Sequence, residues 1–263
     1  TMFTTTSLSL CNYKNVQIFS GCSKCFKEFP RMTDGNGKSK GNFSGFLRNF
    51  WRARDSDEHI RTANLVKVAS CEADRKRLES DGSRWSELFR LPYFRPIEHH
   101  TIDPMHCLFL GFSKTMTKHY LKSGIINKIN IRKIQDSMDK IRVPSTVGRI
   151  PYKIASGFAS FTADQWRNWT VVYSTPILKD FIATEHFSIW KKYVHATSIL
   201  SRKIISVLDV NIADDLLLSF CASAERTYGE GFITPNFHMS CHLADVIRSF
   251  GPVYGYWCFS FER

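Results

Sequence analysis

Two pairs of metal-binding side chains stand near opposite ends of this sequence. Cys22 and Cys25 form a Cys-x-x-Cys pair, and His238 and His242 form a His-x-x-x-His pair. Two thiolates on one turn supply half of a tetrahedral zinc site, and two imidazoles on one helix face supply the other half. The residue types therefore indicate one structural zinc ion held by all four side chains. Two unrelated loop cysteines and two partly exposed helix histidines are the alternatives.

The eight cysteines are not preceded by a secretory signal, which favours a reducing compartment and metal ligands over disulfides. A redox-active Cys-x-x-Cys would stand at a helix start after a strand, and the segment around Cys22 lacks that pattern. Cys241 falls on a different helix face from the two histidines, so we expect it to pack and not to bind metal.

Two further places carry chemistry-bearing residues. Asp103-Pro104-Met105-His106 has the composition of a helix start, and the spacing favours Asp103 as the N-cap. The alternative is that Asp103 and His106 together hold a metal, a water molecule or a phosphate. Glu262 stands beside Arg263, where a surface ion pair is the ordinary interpretation.

The composition restricts the class of protein. Hydrophobic residues make up 43% of the 263 residues, which is typical of a globular chain. The net charge of +12 favours a polyanionic partner such as DNA, because each phosphate neutralised by Lys or Arg releases counterions. No stretch reaches the roughly 20 apolar residues of a membrane helix, so we expect no membrane partner.

The elements that must position these residues are mainly α-helices. Residues 1–20 form an atypical segment without a clear period, and the Gly-rich residues 21–54 form a loop region around the Cys pair. Helical patterns fill residues 55–263. The predicted starts and stops are as follows: Asp55 to Ser80 with Gly82 behind it, Asp103 to Gly124, Asn130 to Pro144, a capping box at Thr162, a helix over 186–208, an N-cap at Asn211, and Pro235 to Gly251.

The order and spacing of these pieces resemble the CACTA (En/Spm-like) DNA transposases of fungal and animal type. The most specific segment runs from Arg84-Trp85-Ser86-Glu87-Leu88 through Leu91-Pro92-Tyr93-Phe94 to the Asp103–His106 motif and Leu108-Phe109-Leu110-Gly111. Gly21 to Cys25 and Phe237 to Glu262 are similar to two further blocks of the family. The resemblance covers roughly residues 20–263.

The resemblance implies a helical insertion region of an RNase H-like catalytic domain, with little of its β-sheet core. In such nucleases three acidic residues hold two Mg²⁺ ions that cleave and transfer DNA strands. Matched residue by residue, Glu262 is the third acid. Asp103 and His106 match a motif that positions the active site or DNA, while Cys22, Cys25, His238 and His242 match a structural zinc site. DNA and self-association as partners, and the nucleus as location, are implied in the same way.

This sequence departs from the family at its N-terminal side. The first two catalytic aspartates should precede the Cys pair, yet residues 1–21 contain no Asp or Glu. The sequence begins at Thr1 and stops at Arg263 without a turn or polar tail. We therefore expect a fragment or degenerate remnant of a cut-and-paste transposase that is inactive as given. A non-catalytic zinc-containing protein that binds DNA or protein, domesticated from a transposon, is the alternative.

Overall fold

The computed structural model describes residues 18–19, 22–33, 37–142, 144, 147, 151–158 and 160–260. The described chain is mainly α-helical, which confirms the predicted class. It divides into two units: Thr1–Ile102 with Glu225–His242, and Asp103–Ala224 with Leu243–Arg263. The predicted segment 1–20 lies outside the described residues except for Ile18–Phe19. None of the described helices has the length and apolar character that crossing a bilayer requires.

The first unit contains a small antiparallel sheet, two of whose three strands lie in residues 21–54, the region predicted as loop. Strands β1 (Ile18–Phe19), β2 (Phe29–Thr33) and β3 (Ser39–Gly41) pair in that order. Arg31 faces Gly41 and Thr33 faces Ser39 in the register of β2 and β3. The sheet forms because Phe29 is buried at the start of β2, a signal that the surrounding glycines and polar residues conceal from sequence analysis.

The helix predicted from Asp55 to Ser80 is two helices. Helix α1 (Ser56–Val68) begins as predicted, with the Asp55 carboxylate accepting a hydrogen bond from Glu58 N at 2.9 Å. Its C-cap residue Ala69 leaves the helical region at φ −58° and ψ 127°, and α2 (Glu72–Leu78) follows. A 3₁₀ turn over Glu79–Asp81 then ends at Gly82, where the φ of +91° favours glycine.

The remaining helical elements of the first unit are short. A 3₁₀ turn covers Arg48–Phe50, a second covers Glu87–Arg90 and a third covers Glu230–Phe232. Helix α9 (Pro235–Ser240) begins with proline in its first turn, as predicted.

The second unit is a bundle of helices around buried aromatic rings. A π-helix (Met105–Ser113) continues directly into α3 (Lys114–Lys122), which is followed by α4 (Lys128–Lys140). Helix α5 (Ala163–Asn168), a second π-helix (Trp169–Tyr173) and α6 (Ser174–Leu178) form a continuous run. The long helices α7 (Thr184–Leu200) and α8 (Val207–Tyr228) follow, and the last helix is α10 (Leu243–Phe250). The last four residues of α8 are counted with the first unit.

Aromatic side chains fill the core of this second unit. The rings of Trp169, Trp190, Tyr193 and Phe112 are fully buried, and Phe112 and Tyr193 meet edge to face at 5.6 Å. Edge-to-face contacts of this kind add to the stabilisation from burial. The Tyr193 hydroxyl donates to the Leu108 carbonyl oxygen at 2.9 Å, so its burial leaves no unpaired polar group.

Several predicted boundaries were displaced. Helix α8 begins near Ser206, whose hydroxyl accepts from Asp209 N at 3.1 Å, and not at Asn211. The N-cap of α4 is Asn127 and not Asn130. The capping box of Thr162 with Gln165 is present as predicted.

Candidate metal centre

The Cys-x-x-Cys segment forms a tight turn in which backbone amides donate hydrogen bonds to the two cysteine sulfurs. The Lys24 amide N–H donates to Cys22 Sγ at 3.3 Å, and the Lys27 amide N–H donates to the Cys25 thiol. Cys25 pairs with Ala53 in an isolated antiparallel bridge. Both thiols are buried, each with 1% of its residue surface exposed. Two sulfur atoms are thereby placed on one side of a turn, as a metal site needs.

A buried arginine, Arg54, hydrogen-bonds to the backbone carbonyl oxygens of this turn. The Arg54 side-chain Nε donates to the carbonyl oxygens of Cys22 and Cys25 at 2.8 and 3.2 Å, and the guanidinium also donates to the Asp81 carbonyl oxygen. Arg54 N donates to the Lys24 carbonyl oxygen at 2.9 Å. Three carbonyl partners hold the guanidinium in place, so the carbonyls of the turn are satisfied without water.

The two histidines come from the end of helix α9. His238 lies in the last turn of α9, whereas His242 follows the C-cap residue Cys241. The expected single helix over Pro235 to Gly251 is therefore interrupted, and the pair does not share one continuous helix face. The interruption still leaves the two Nε2 atoms 3.3 Å apart. The Cys241 thiol donates to the Phe237 carbonyl oxygen, as expected for a packing residue.

The four predicted ligands converge. One ligand atom each from Cys22, Cys25, His238 and His242 lies within 4.8 Å of the other three, and all four residues are buried. Cys25 Sγ is 3.4 Å from His238 Nε2, although the two residues are 213 positions apart in sequence. The shared site predicted from the two separate motifs is thus present as a cluster that could hold one metal ion.

The distances match those that zinc imposes on its ligands. With Zn–N of about 2.05 Å and Zn–S of about 2.3 Å, a tetrahedral ion separates two nitrogens by about 3.3 Å and a nitrogen from a sulfur by about 3.6 Å. The corresponding distances here are 3.3 Å and 3.4 Å. A pair of sulfurs with a pair of imidazole nitrogens is also the donor set that zinc prefers over magnesium or calcium. The residues therefore fit a structural zinc ion that is fully enclosed by protein.

The electrostatics favour the protonation states that metal binding needs. The hydrogen bond with Cys22 lowers the pKa of the Cys25 thiol, and the Lys27 backbone amide and the charges of Arg54 and Lys27 add to this, while burial opposes it. Burial lowers the pKa of His238, so its imidazole is neutral at neutral pH. Thiolates and neutral imidazoles are the forms that bind zinc.

Aromatic rings orient the His238 imidazole. The Trp51 ring centroid lies 4.5 Å from that of His238, and the Phe29 ring meets it edge to face at 4.8 Å. Within the described residues, His238 Nδ1 has no hydrogen-bond partner. Packing against rings therefore takes the place of the carboxylate or carbonyl that commonly orients a metal-binding histidine.

Lys27 and Arg54 are parts of this site that sequence analysis missed. The Lys27 ammonium lies 4.7 Å from the Trp51 ring centroid and donates to the carbonyl oxygens of Ser44 and Gly45. Trp51, which packs against the cluster of Cys22, Cys25 and Phe29, was a usable signal for a local core in this Gly-rich region. Nothing in the sequence around Arg54 distinguishes it from a solvated arginine.

Asp103 acts as the N-cap that its spacing predicted. Its Oδ2 accepts from the His106 backbone N at 2.9 Å and lies 2.5 Å from His106 Nδ1. Its Oδ1 accepts from Met105 N at 3.3 Å and from Cys258 N at 2.9 Å. Burial acts to raise the pKa of Asp103, but these hydrogen bonds outweigh it and hold the pKa below its ordinary value.

This arrangement limits what the Asp103–His106 pair can do. The three side chains of Asp103, His106 and Cys258 have ligand atoms within 4.8 Å of one another. A carboxylate has about four lone-pair positions, and those of Asp103 are already occupied by four hydrogen bonds. Asp103 therefore positions the backbone at Cys258, and a metal ion held by Asp103, His106 and Cys258 would have to displace some of these hydrogen bonds.

Glu262, predicted as a catalytic acid, lies outside the described residues. The segment just before it is ordered by packing: the Phe259 ring lies 5.7 Å from Phe109 and 4.9 Å from Trp257.

Comparison with protein families, with curated proteins and with solved structures finds no match to the chain.

Proposed function

We propose that this chain is a zinc-stabilised helical part of a CACTA-type DNA transposase that binds DNA. The observation that carries the proposal is the convergence of Cys22 and Cys25 with His238 and His242. The resemblance to the transposases assigns these two separate motifs to a single zinc site. Their meeting in one buried cluster supports that assignment, because independent motifs 213 residues apart have no other reason to share a site.

In this proposal zinc is a structural element and takes no part in chemistry. All four ligand side chains are buried and come from protein, so no position is left open for water or substrate. The ion would join the Cys turn, and the sheet beside it, to the helix that carries His238. The RNase H-like catalytic domain, its Mg²⁺ ions and the nuclear location belong to the same proposal through the resemblance.

DNA binding rests on the charge of the chain. A net charge of +12 over 263 residues attracts phosphates, and the counterions released on binding make the affinity depend on salt. Residues 1–21 contain no Asp or Glu, so Glu262 is the only acid of the three that the resemblance places in this sequence. We therefore propose that the chain as given binds DNA without cutting it.

Two measurements test the proposal. Metal analysis of the purified full chain should find about one zinc ion per chain, and its absence would refute the zinc assignment. A supercoiled plasmid incubated with the chain and Mg²⁺ should remain intact, with catalytically active nuclease as the positive control. Mg²⁺-dependent nicking that disappears in Glu262→Gln would show that the chain is a complete enzyme and would contradict the inactive form proposed here.

A further inference from the structure

The first unit contains a cavity beside the metal centre, with which it shares Cys22 and Arg54. Its volume is about 220 Å³. The segment from Arg84 to Phe94, the most specific part of the sequence resemblance, supplies one wall, and the segment from Pro96 to His100 supplies another. A dry apolar cavity of roughly 150 Å³ is large enough for a benzene ring. The cavity is thus large enough for a substituted six-membered ring.

Its walls are aromatic and apolar. Phe89 and Phe94 stack with their ring centroids 6.2 Å apart and an interplanar angle of 26°, and His59 meets Phe89 edge to face at 5.8 Å. Leu88 and Ile97 add aliphatic surface. Aromatic walls favour planar aromatic occupants through stacked and edge-to-face contacts.

As far as the structure describes the chain, His100 brings a polar atom without a hydrogen-bond partner to this wall. His100 Nδ1 is 3.0 Å from the Ser23 hydroxyl, which fixes the orientation of the ring. His100 Nε2 is buried and has no hydrogen-bond partner among the residues that the structure describes. A buried polar atom left unpaired is unfavourable, and small-molecule sites commonly combine apolar walls with a few such polar groups.

The two arginines of the lining are already held by protein groups. The Arg54 guanidinium donates to the carbonyl oxygens of Cys22, Cys25 and Asp81, and Arg84 forms an ion pair with Glu79. Burial, with the nearby Lys24 charge, lowers the pKa of His100 to about 4, so its imidazole is uncharged at neutral pH. No Asp or Glu lines the cavity within the described part of the chain. A cation would find no acidic partner here, and an anion would have to compete with the groups that already hold Arg54 and Arg84.

We propose that this cavity binds a small neutral aromatic molecule whose single polar group hydrogen-bonds to His100 Nε2. The occupant is a free ligand of one ring, or one ring with a small substituent, held by Phe89, Phe94 and Leu88. The proposal goes beyond the proposed function and holds whether or not the chain binds DNA.

Phenol and toluene are matched probes for this site, because they have the same ring and nearly the same size and differ in the polar group. The test is a titration of the full chain, as purified with its metal, followed by ¹H–¹³C spectra of its aromatic side chains. We expect shifts of the Phe89, Phe94 and His100 resonances with both probes. Phenol should bind about tenfold more tightly, the factor that corresponds to about 1.4 kcal/mol for a buried hydrogen bond.

Three variants sharpen the test. His100→Phe keeps a ring of similar size without the nitrogen, and should remove the preference for phenol. Leu88→Trp should weaken both probes by narrowing the cavity, whereas Leu91→Trp, at a similarly exposed position that does not line the cavity, should leave both unchanged. Metal content and circular dichroism identify a variant that fails to fold.

Two results would overturn the proposal. The first is the absence of any shift at these residues up to the solubility limit of both probes. The second is equal affinity for phenol and toluene in the unaltered chain, which would remove His100 from the site. Shifts that persist unchanged in Leu88→Trp would place the bound probe elsewhere and would count against the cavity as well.

Discussion

Removing the two thiols of the metal centre should remove the cross-link that joins Cys22 and Cys25 to His238 and His242. The variant is Cys22→Ser with Cys25→Ser, which leaves the two histidines in place. In the unfolded chain a zinc ion is able to bind the Cys pair or the His pair alone, so that binding stabilises both states. The stabilisation specific to the folded state therefore comes from joining the two pairs.

The size of this effect follows from the length of the closed loop. Cys25 and His238 are 213 residues apart, and their ligand atoms lie 3.4 Å apart in the folded state. The chain-entropy relation for a cross-link gives about 5 kcal/mol for a loop of that length. The free energy of unfolding should fall by about that amount. For a chain of this size the midpoint of thermal unfolding falls by about 2 °C per kcal/mol, or roughly 10 °C in total.

A matched control is available in the same unit. Cys71→Ser with Cys241→Ser also removes two thiols, one exposed and one buried, and neither belongs to the cluster. The test is the midpoint of thermal unfolding of both double variants and of the unaltered chain, measured with and without a chelator. The chelator should destabilise the unaltered chain and the control, and it should leave the Cys22/Cys25 variant unchanged. Equal unfolding midpoints for the two double variants, or insensitivity of all three proteins to the chelator, would refute the cross-link.

Three other outcomes are expected. Asp103→Ala should lower the free energy of unfolding by about 2 kcal/mol, because it removes a helix cap and the acceptor of the Cys258 amide. The control Asp55→Ala removes a cap with one acceptor bond and should lower the free energy of unfolding by about 1 kcal/mol. Urea denaturation measures both losses, and equal losses would contradict a role of Asp103 beyond capping. His100 takes up a proton below pH 6.5 in the unfolded chain and below about pH 4 in the folded chain. The free energy of unfolding should therefore fall by up to about 3 kcal/mol as the pH is lowered between these values. In a His100→Gln variant the free energy of unfolding should depend less on pH, and an unchanged dependence would exclude His100 as the source. If the chain contacts about four phosphates, its affinity for a random-sequence DNA duplex should fall on the order of a hundredfold between 50 and 200 mM salt. Fluorescence anisotropy measures this affinity. An affinity that does not change with the salt concentration would contradict an electrostatic contact.

The parts of the fold that sequence analysis predicted correctly are those with a local physical cause. Asp55 and Thr162 cap helices because their side-chain oxygens reach backbone amides two or three residues ahead. Gly82 ends its turn because the required positive φ is unfavourable for other residues. Such features depend on a few neighbouring residues and on no distant contact.

The metal centre was predictable for a different reason. Cys and His are rare enough as paired ligands that their types and spacing, Cys22-x-x-Cys25 and His238-x-x-x-His242, indicate a shared ion before any fold is known. Their convergence required no accurate account of the elements between them. The assumption of a single helix through His242 was wrong, yet the ligand prediction was unaffected because the turn after Ser240 preserves the short distance between the imidazoles.

Features that depend on tertiary contacts were missed. The π-helix at Met105–Ser113 has the same hydrophobic pattern as an α-helix, so its wider turns, which bury Phe109 and Phe112, were not predicted. Arg54 is buried among three carbonyl groups from two other segments and the ring of Phe26, none of which its local sequence indicates. The cavity beside His100 likewise depends on segments that local propensity does not bring together.

The position of the ligands in the chain also sets the order in which the protein is made. Cys22 and Cys25 leave the ribosome before the two histidines, and His238 follows Cys25 by 213 residues. At 5–20 residues per second, the thiols wait roughly 10–40 s for the imidazoles that complete their site. During that interval the Cys pair has only half of its coordination shell and remains open to oxidation or to exchange of its metal. The first unit therefore finishes folding only after His242 has been made, well after its Cys pair.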